Sequence, residues 1–206
     1  MDNKLLIRLS NIISYLLHPL ALTTVMAFLL LFGNSVMSMI PLTIKLYFLG
    51  MTAITTLVIP ALLTGIYKVF DLLPRMSRNE RTAQIPSLVA AAACYIMCYF
   101  ILRRLDLAFL LNKIVIAAAA CALASLIVSL FYRVSLHMAG MGGLLAILAA
   151  FNFSGFGTMP YTMMAFIFLA GLLASARLYL GNNYSLQLAL SFIGGVVIAA
   201  VVFLFA

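Results

Sequence analysis

The sequence has very few charged residues, and acidic residues are the scarcest of them. Only 8% of the 206 residues are charged, with 4 Asp and Glu against 12 Lys and Arg. Soluble domains are about one-quarter charged, whereas here 67% of residues are hydrophobic and the mean hydropathy is +1.24. This composition excludes a soluble enzyme, a nucleic-acid-binding protein and a disordered chain, and it predicts an integral membrane protein.

Cysteine is also scarce, with 3 residues in the chain. Cys94 and Cys98 lie one helical turn apart in one apolar segment and Cys121 lies in the next, so all three are interpreted as small hydrophobic packing residues. The sequence has no Cys-x-x-Cys pair and no carboxylate cluster that would hold a metal ion. We therefore expect no disulfide framework, no metal and no other cofactor.

Long, continuously apolar runs make up most of the remaining sequence. The strands of a membrane barrel would alternate polar and apolar residues, so these runs predict membrane-spanning helices of roughly 20 residues each. Residues 1–15, with basic residues among spaced apolar ones, predict an interfacial helix that is not cleaved. The predicted spans are 16–33, 42–66 with a kink at Pro60, 87–102, 114–132, 136–153, 161–176 and 186–206.

The expected fold is thus an all-α polytopic membrane protein, with one transmembrane domain of six or seven helices over residues 16–206. Seven crossings would place the N-terminus and segments 68–86, 133–137 and 177–185 on one side. Eight basic residues belong to that side: Lys4, Arg8, Lys68, Arg75, Arg78, Arg81, Arg133 and Arg177. The other side has four: Lys45, Arg103, Arg104 and Lys113. The positive-inside rule favours a cytoplasmic location for the first side unless its cations serve a function.

Several ionisable residues on this basic side are candidate functional residues, because such groups are costly near the membrane interior. They are Arg78, Arg81, Arg133, His137 and Arg177, all at predicted helix ends with almost no acids nearby. Arginine pairs well with phosphate oxygens, so an anionic ligand, above all a lipid phosphate, is expected. The alternatives are a positive loop that contacts lipid headgroups and, for His137, an ordinary interfacial histidine. His18, before Pro19, is interpreted as a helix boundary.

Two segments resemble motifs of the type 2 phosphatidic acid phosphatase superfamily. The string VSLH (134–137) is similar to its second motif, Pro-Ser-Gly-His. The string ARLYLGNNYSLQLALSFIGG (176–195) is similar to its third, which contains Ser-Arg, a histidine and an aspartate. Lys68 and Arg75 have the spacing of the first motif, with Arg78 and Arg81 as competing matches. The resemblance covers about residues 60–200, with its motifs within 68–187, and implies a phosphatase-like bundle.

The resemblance also implies roles for individual residues. In that family one histidine attacks phosphorus, a second protonates the leaving group, and basic residues hold the phosphate oxygens. His137 matches the acid, and the phosphate-binding matches are Lys68, Arg75, Arg78, Arg81, Ser135 and Arg177. Asn183 stands in place of the nucleophile and Gln187 in place of the orienting acid. An amide is not a nucleophile at neutral pH, although Asn183 would cap the last helix.

Two functions are therefore open from the sequence. One is a phosphoric monoester hydrolase of altered mechanism, acting on phosphatidate, phosphatidylglycerol phosphate, a prenyl pyrophosphate or a lipid A phosphate. The other is an inactive homologue that binds anionic lipid headgroups as a sensor, partner subunit or lipid-transfer element. A small transporter is disfavoured because the charges lie at the ends of the spans, and an intramembrane protease because Ser135 and His137 do not face each other at depth.

Both functions predict that the side chains of Arg81, His137, Arg177 and Asn183 converge in one phosphate-sized pocket at the membrane interface. Membrane lipids are the expected partners, nucleic acid is not, and Gly/Ala-rich helix faces are compatible with a homo-oligomer. A bacterial cytoplasmic (inner) membrane is the expected location.

Overall fold

The structure, a computed structural model, describes residues 3–33, 37–69, 80–104, 109–153, 160–181 and 184–205. These residues form α-helices and no strand. The helices are α1 (Asn3–Leu16), α2 (Pro19–Gly33), α3 (Leu42–Ala53), α4 (Ile59–Val69), α5 (Glu80–Leu102), α6 (Phe109–Phe131), α7 (Leu136–Phe153), α8 (Pro160–Tyr179) and α9 (Ser185–Phe205). A π-helical turn, Ile54–Val58, joins α3 to α4.

Six segments among the described residues are long and apolar enough to cross a membrane, and α1 with α2 would make a seventh. The helix axes of α1 and α2 differ by 57°, because the chain bends at His18-Pro19. The prediction of an all-α polytopic membrane bundle is therefore confirmed. The interfacial position of α1 stays a prediction, although a helix is present there and packs against α8.

Helix boundaries differ from the sequence prediction around the polar segment 68–86. That segment was predicted to be a loop, but α4 continues to Val69 and α5 already begins at Glu80. The predicted span 87–102 lies within α5, but the helix begins before Pro86, which it includes. A proline near a helix N-terminus removes one backbone hydrogen bond and need not end the helix. Similarly, α6 begins at Phe109 rather than 114 and includes Lys113.

The predicted kink at Pro60 corresponds to a local change of helix type. The amide of Ile59 bonds back to the Ile54 carbonyl, which closes the π turn directly before the proline. Pro60 has no amide to donate to the preceding turn, and a wider turn is one way to accommodate it. Leu42–Ile66 nevertheless remains a single candidate span.

Helix α7 lies at the centre of the bundle and contacts α2, α6, α8 and α9. It packs most extensively against α9, which runs parallel to it because α8 returns the chain between them. Two glycines let the backbones touch. A Cβ on Gly142 would collide with the Phe192 carbonyl oxygen, and one on Gly195 would collide with that of Ala139. Small residues at such contacts are the usual basis of close helix packing in membranes.

One end of the bundle brings together chain segments that are far apart in sequence. His18, between α1 and α2, lies beside His137 in the first turn of α7. Ser135, just before α7, donates its amide to Ser191 Oγ of α9 at 2.9 Å. The α1–α2, α6–α7 and α8–α9 junctions therefore lie at this end, which we call the histidine end. The candidate site lies here.

Candidate functional site

His137 is held by contacts from three other segments. Its imidazole donates a hydrogen bond to the backbone carbonyl of Ser14 in α1. Its ring meets that of His18 edge to face, with centroids 5.5 Å apart and planes at 80°. Arg177, near the end of α8, lies within electrostatic range of it. The first turn of α7 thus carries a histidine whose orientation is fixed by α1 and α2.

His18 is oriented by its own helix. The Leu20 amide donates to His18 Nδ1 at 3.4 Å, and the His18 carbonyl accepts from the amides of Ala21 and Leu22. The residue therefore caps α2 with both its side chain and its backbone, as expected for a polar residue before a helix-starting proline. Because Nδ1 accepts, a neutral His18 carries its proton on Nε2, which is then a donor.

The residues of this cluster give it an excess of positive charge and of donors. We define the cluster as His18, His137 and Arg177, all half-buried. The four helices that build it, α1, α2, α7 and α8, contain no acidic residue in their sequences. A guanidinium within electrostatic range of His137, whose ring contacts His18, is suited to an anion with several acceptor oxygens.

A cavity of about 130 Å³ runs from this cluster into the bundle. His18 and His137 line one end of it, and its walls come from α2, α5, α6, α7 and α9. Along α7 the lining residues are Leu136, His137, Ala139, Gly140, Gly143, Leu144 and Ile147. They follow the helical repeat over three turns, which is about 15 Å at 1.5 Å per residue.

The cavity becomes more apolar with distance from the histidine end. Ser87 near the start of α5 and Ser125 near the end of α6 line it, and both helix ends lie at the histidine end of the bundle. Deeper, small side chains such as Ala91, Ala117 and Ala118 leave the space open. The polar contact there is a hydrogen bond that Thr23 Oγ1 donates to the Tyr95 hydroxyl oxygen at 3.4 Å.

The structure brings together two of the predicted site residues, His137 and Arg177. Ser135 is near His137 in sequence but only 1% exposed, with its amide bonded to α9. Its hydroxyl has no hydrogen-bond partner among the described residues, and Ser135 does not line the cavity. Burial therefore removes Ser135 from contact with a ligand that approaches from the surface.

The other predicted residues lie partly or wholly outside the described residues. Arg75, Arg78 and Asn183 fall in undescribed segments, so their convergence with His137 stays a prediction. Lys68 lies at the end of α4 and Arg81 in the first turn of α5, but their side chains are outside the described set.

Gln187, in the place of the family's orienting acid, has a helix-capping contact instead. Its Oε1 accepts a hydrogen bond from the Tyr184 amide at 3.4 Å, across the first turn of α9. A Gln at the third helical position that reaches back in this way is half of a capping box. Capping by Asn183 remains a prediction.

Sequence reasoning gave no site role to His18, Ser14 or Tyr95. His18 was correctly interpreted as a helix boundary, but the bend at Pro19 also turns its ring towards α7. The available signal was that the chain has 2 histidines and that both lie at a helix start on the predicted basic side. Ser14 contributes a backbone carbonyl, for which the sequence holds no signal.

Comparison with protein-family models, with curated proteins and with solved structures finds no match to this chain. Among the described residues, no group of three or more His, Cys, Asp or Glu side chains is placed to hold a metal ion.

Proposed function

We propose that this membrane protein binds the phosphate group of a lipid at the cluster of His18, His137 and Arg177. The lipid phosphate would lie at the histidine end of the bundle, with its hydrocarbon part towards the membrane interior. This is the lipid-binding form of the phosphatase-like function that the sequence resemblance implies. The phosphatase-like family assignment itself remains part of the proposal.

The observation that supports it most is that Arg177 lies within electrostatic range of His137, which lines one end of an apolar cavity. Arginine supplies a forked donor for phosphate oxygens, and the Nε2 donor inferred for His18 lies on the adjacent ring. A guanidinium with imidazole donors nearby favours a ligand that brings negative charge.

Hydrolysis of the bound phosphate is the second candidate function, favoured by the contact between two histidines beside an arginine. His137 already donates one ring proton to Ser14. To protonate a leaving alkoxide it would need a second proton, which puts two positive charges next to each other until phosphate binds. The tautomer of His18 makes Nε2 a donor rather than a nucleophile. Both features fit binding better than turnover.

The test is equilibrium binding of dodecyl phosphate to the purified protein in lipid nanodiscs, with phosphate release measured in parallel. Substituting Arg177→Gln removes a charge-assisted donor and is expected to raise Kd about 10- to 100-fold. Arg133→Gln is the matched control, because Arg133 is exposed on the short segment before α7, and its Kd should change by no more than about twofold. Equal affinity of native protein and Arg177→Gln would contradict the proposal.

Hydrolysis is tested by measuring phosphate release from phosphatidate, prenyl pyrophosphate and dodecyl phosphate with the same samples. Release by the native protein that is lost in both His137→Ala and His18→Ala would establish catalysis by the histidine pair. Release by Asn183→His alone would identify a binding site that lacks its nucleophile. Binding without release in any variant leaves the lipid-binding function.

The bacterial cytoplasmic membrane is the location that we propose for this function. Anionic membrane lipids are the proposed partners, and a homo-oligomer through small-residue helix faces is compatible with them.

A further inference from the structure

We propose that the cavity holds part of the hydrocarbon tail of a single-chain lipid phosphate, inside the bundle rather than in the surrounding bilayer. The inference rests on the proposed function, because the cluster of His18, His137 and Arg177 would bind the phosphate of the same molecule. It adds the substrate class: one alkyl or prenyl chain on a phosphate.

The dimensions of the cavity argue for one chain. A cavity of about 150 Å³ lined by apolar side chains holds a six-carbon ring, and this one has about 130 Å³. It follows α7 from His137 to Ile147, a length of about 15 Å. A long and narrow apolar space accommodates part of one extended chain, whereas the two chains of a diacyl lipid would not fit side by side.

The polarity of the lining argues for the direction of the chain. Its polar side chains are mainly at the histidine end: His18, His137, Ser87 and Ser125. The opposite end is formed by apolar residues that include Met26, Ile114 and Ile147. A phosphate at the histidine end would therefore direct the attached chain along α7 into the apolar part, with the Thr23–Tyr95 pair beside it.

The cavity is kept open by small residues at positions where larger ones would pack. In a close-packed interior a void loses the dispersion contacts of its lining, so an unoccupied space costs stability. Gly143 illustrates this, since an added Cβ would make only ordinary contacts, with Cys121 Sγ at 3.4 Å and Ala199 Cβ at 3.7 Å. Alanine would fit there in the absence of a ligand.

The experiment compares dodecyl phosphate, farnesyl phosphate, butyl phosphate and phosphatidate as ligands of the protein in nanodiscs. The variant Ala91→Leu fills the cavity from α5, where Ala91 is buried. Ala93→Leu is its matched control, two residues along the same helix but exposed. Ala91→Leu should weaken the binding of dodecyl and farnesyl phosphate about tenfold, because fewer methylenes can be buried. The affinity for butyl phosphate should not change.

A second, milder variant tests the same cavity in case Ala91→Leu does not fold. Gly143→Ala adds one methyl group to the cavity wall without a collision, and it should weaken long-chain binding about threefold while butyl phosphate again stays unchanged. For native protein, both single-chain ligands should bind more tightly than phosphatidate. The difference between dodecyl and farnesyl phosphate then tells whether the chain is straight or branched.

Location of the tail is read directly with dodecyl phosphate that carries a diazirine near the chain end. After illumination, the crosslink should map to cavity residues such as Ala118 or Ile147. A crosslink confined to outward-facing residues such as Leu172 would overturn the inference, as would unchanged dodecyl phosphate affinity in both filling variants. If Arg177→Gln still weakens the binding of dodecyl and butyl phosphate in that case, the proposed function is retained and only the tail-binding inference fails. If Arg177→Gln weakens the binding of neither ligand, both proposals fail.

Discussion

The two sides of α7 are packed in opposite ways. Towards α9, Gly142 and Gly195 bring the two backbones into direct contact, and no side chain would fit between them. On another side, Gly143 borders a cavity of about 130 Å³ that ends at two histidines, and an added Cβ there would make only ordinary contacts. Glycine is used for contact at one interface and for space at the other.

This difference teaches that a glycine-rich helix in a membrane need not be an oligomerisation surface. The string AGMGG in the first half of α7 satisfies the small-residue pattern associated with helix pairing. Here the pairing of Gly142 is intramolecular, against α9. The predicted homo-oligomer would therefore need other small-residue faces than this one.

The largest expected effect separates two adjacent glycines. Gly142→Ala forces a Cβ against the Phe192 carbonyl oxygen, so the parallel α7–α9 pair must move apart. We expect the free energy of unfolding to fall by about 3 kcal/mol or more, which is the upper range for overpacking. The effect is large because backbone atoms cannot move aside as side chains do. Thermal unfolding of the purified protein in one detergent measures the change.

Gly143→Ala is the matched control for that substitution. Its Cβ makes ordinary contacts, and replacing a glycine inside a helix by alanine stabilises the folded state by roughly 0.5–1 kcal/mol. This variant should therefore unfold at the same temperature as the native protein or slightly above. Similar melting temperatures for the two variants would show that α7 does not contact α9 through Gly142.

A smaller effect is expected from the polar contact at the end of the same interface. Ser191→Ala removes the acceptor of the Ser135 amide, which then has no partner in a buried position. Leaving such a donor unsatisfied costs about 1–3 kcal/mol. The control is Ser175→Ala, since Ser175 is exposed and its hydroxyl donates to the Gly171 carbonyl of its own helix. A loss of stability in Ser175→Ala as large as in Ser191→Ala would contradict the buried hydrogen bond between Ser135 and Ser191.

The sequence predicted the membrane spans well because lipid leaves a chain few choices. Backbone groups must be satisfied within each segment, so long apolar runs have to be helices. The predicted ranges 42–66 and 136–153 coincide with candidate spans of the structure. The start of α5 was missed, since polar residues around Glu80 continue the helix without the apolar pattern that marks a span.

The candidate site was less predictable because it depends on packing between distant segments. The proximity of Arg177 to His137 was expected from the crossing count and the resemblance. Contacts from His18 and the Ser14 carbonyl were not, because they depend on the 57° bend between α1 and α2. The cavity was unpredictable for a similar reason, since an alanine that leaves space and one that packs look alike in sequence.

The smallest expected effect is in the cavity wall. Tyr95→Phe removes the hydroxyl oxygen that accepts from Thr23, and the expected cost is about 1 kcal/mol, since Thr23 can turn its hydroxyl to another acceptor. Unfolding temperature measures it, with Tyr99→Phe, one turn further along α5 and half-buried, as control. Binding of dodecyl phosphate should be unchanged, because the proposed ligand has no polar atom at that depth. A loss of affinity without a loss of stability would instead mean that the ligand is polar where it passes Tyr95, which contradicts a hydrocarbon tail.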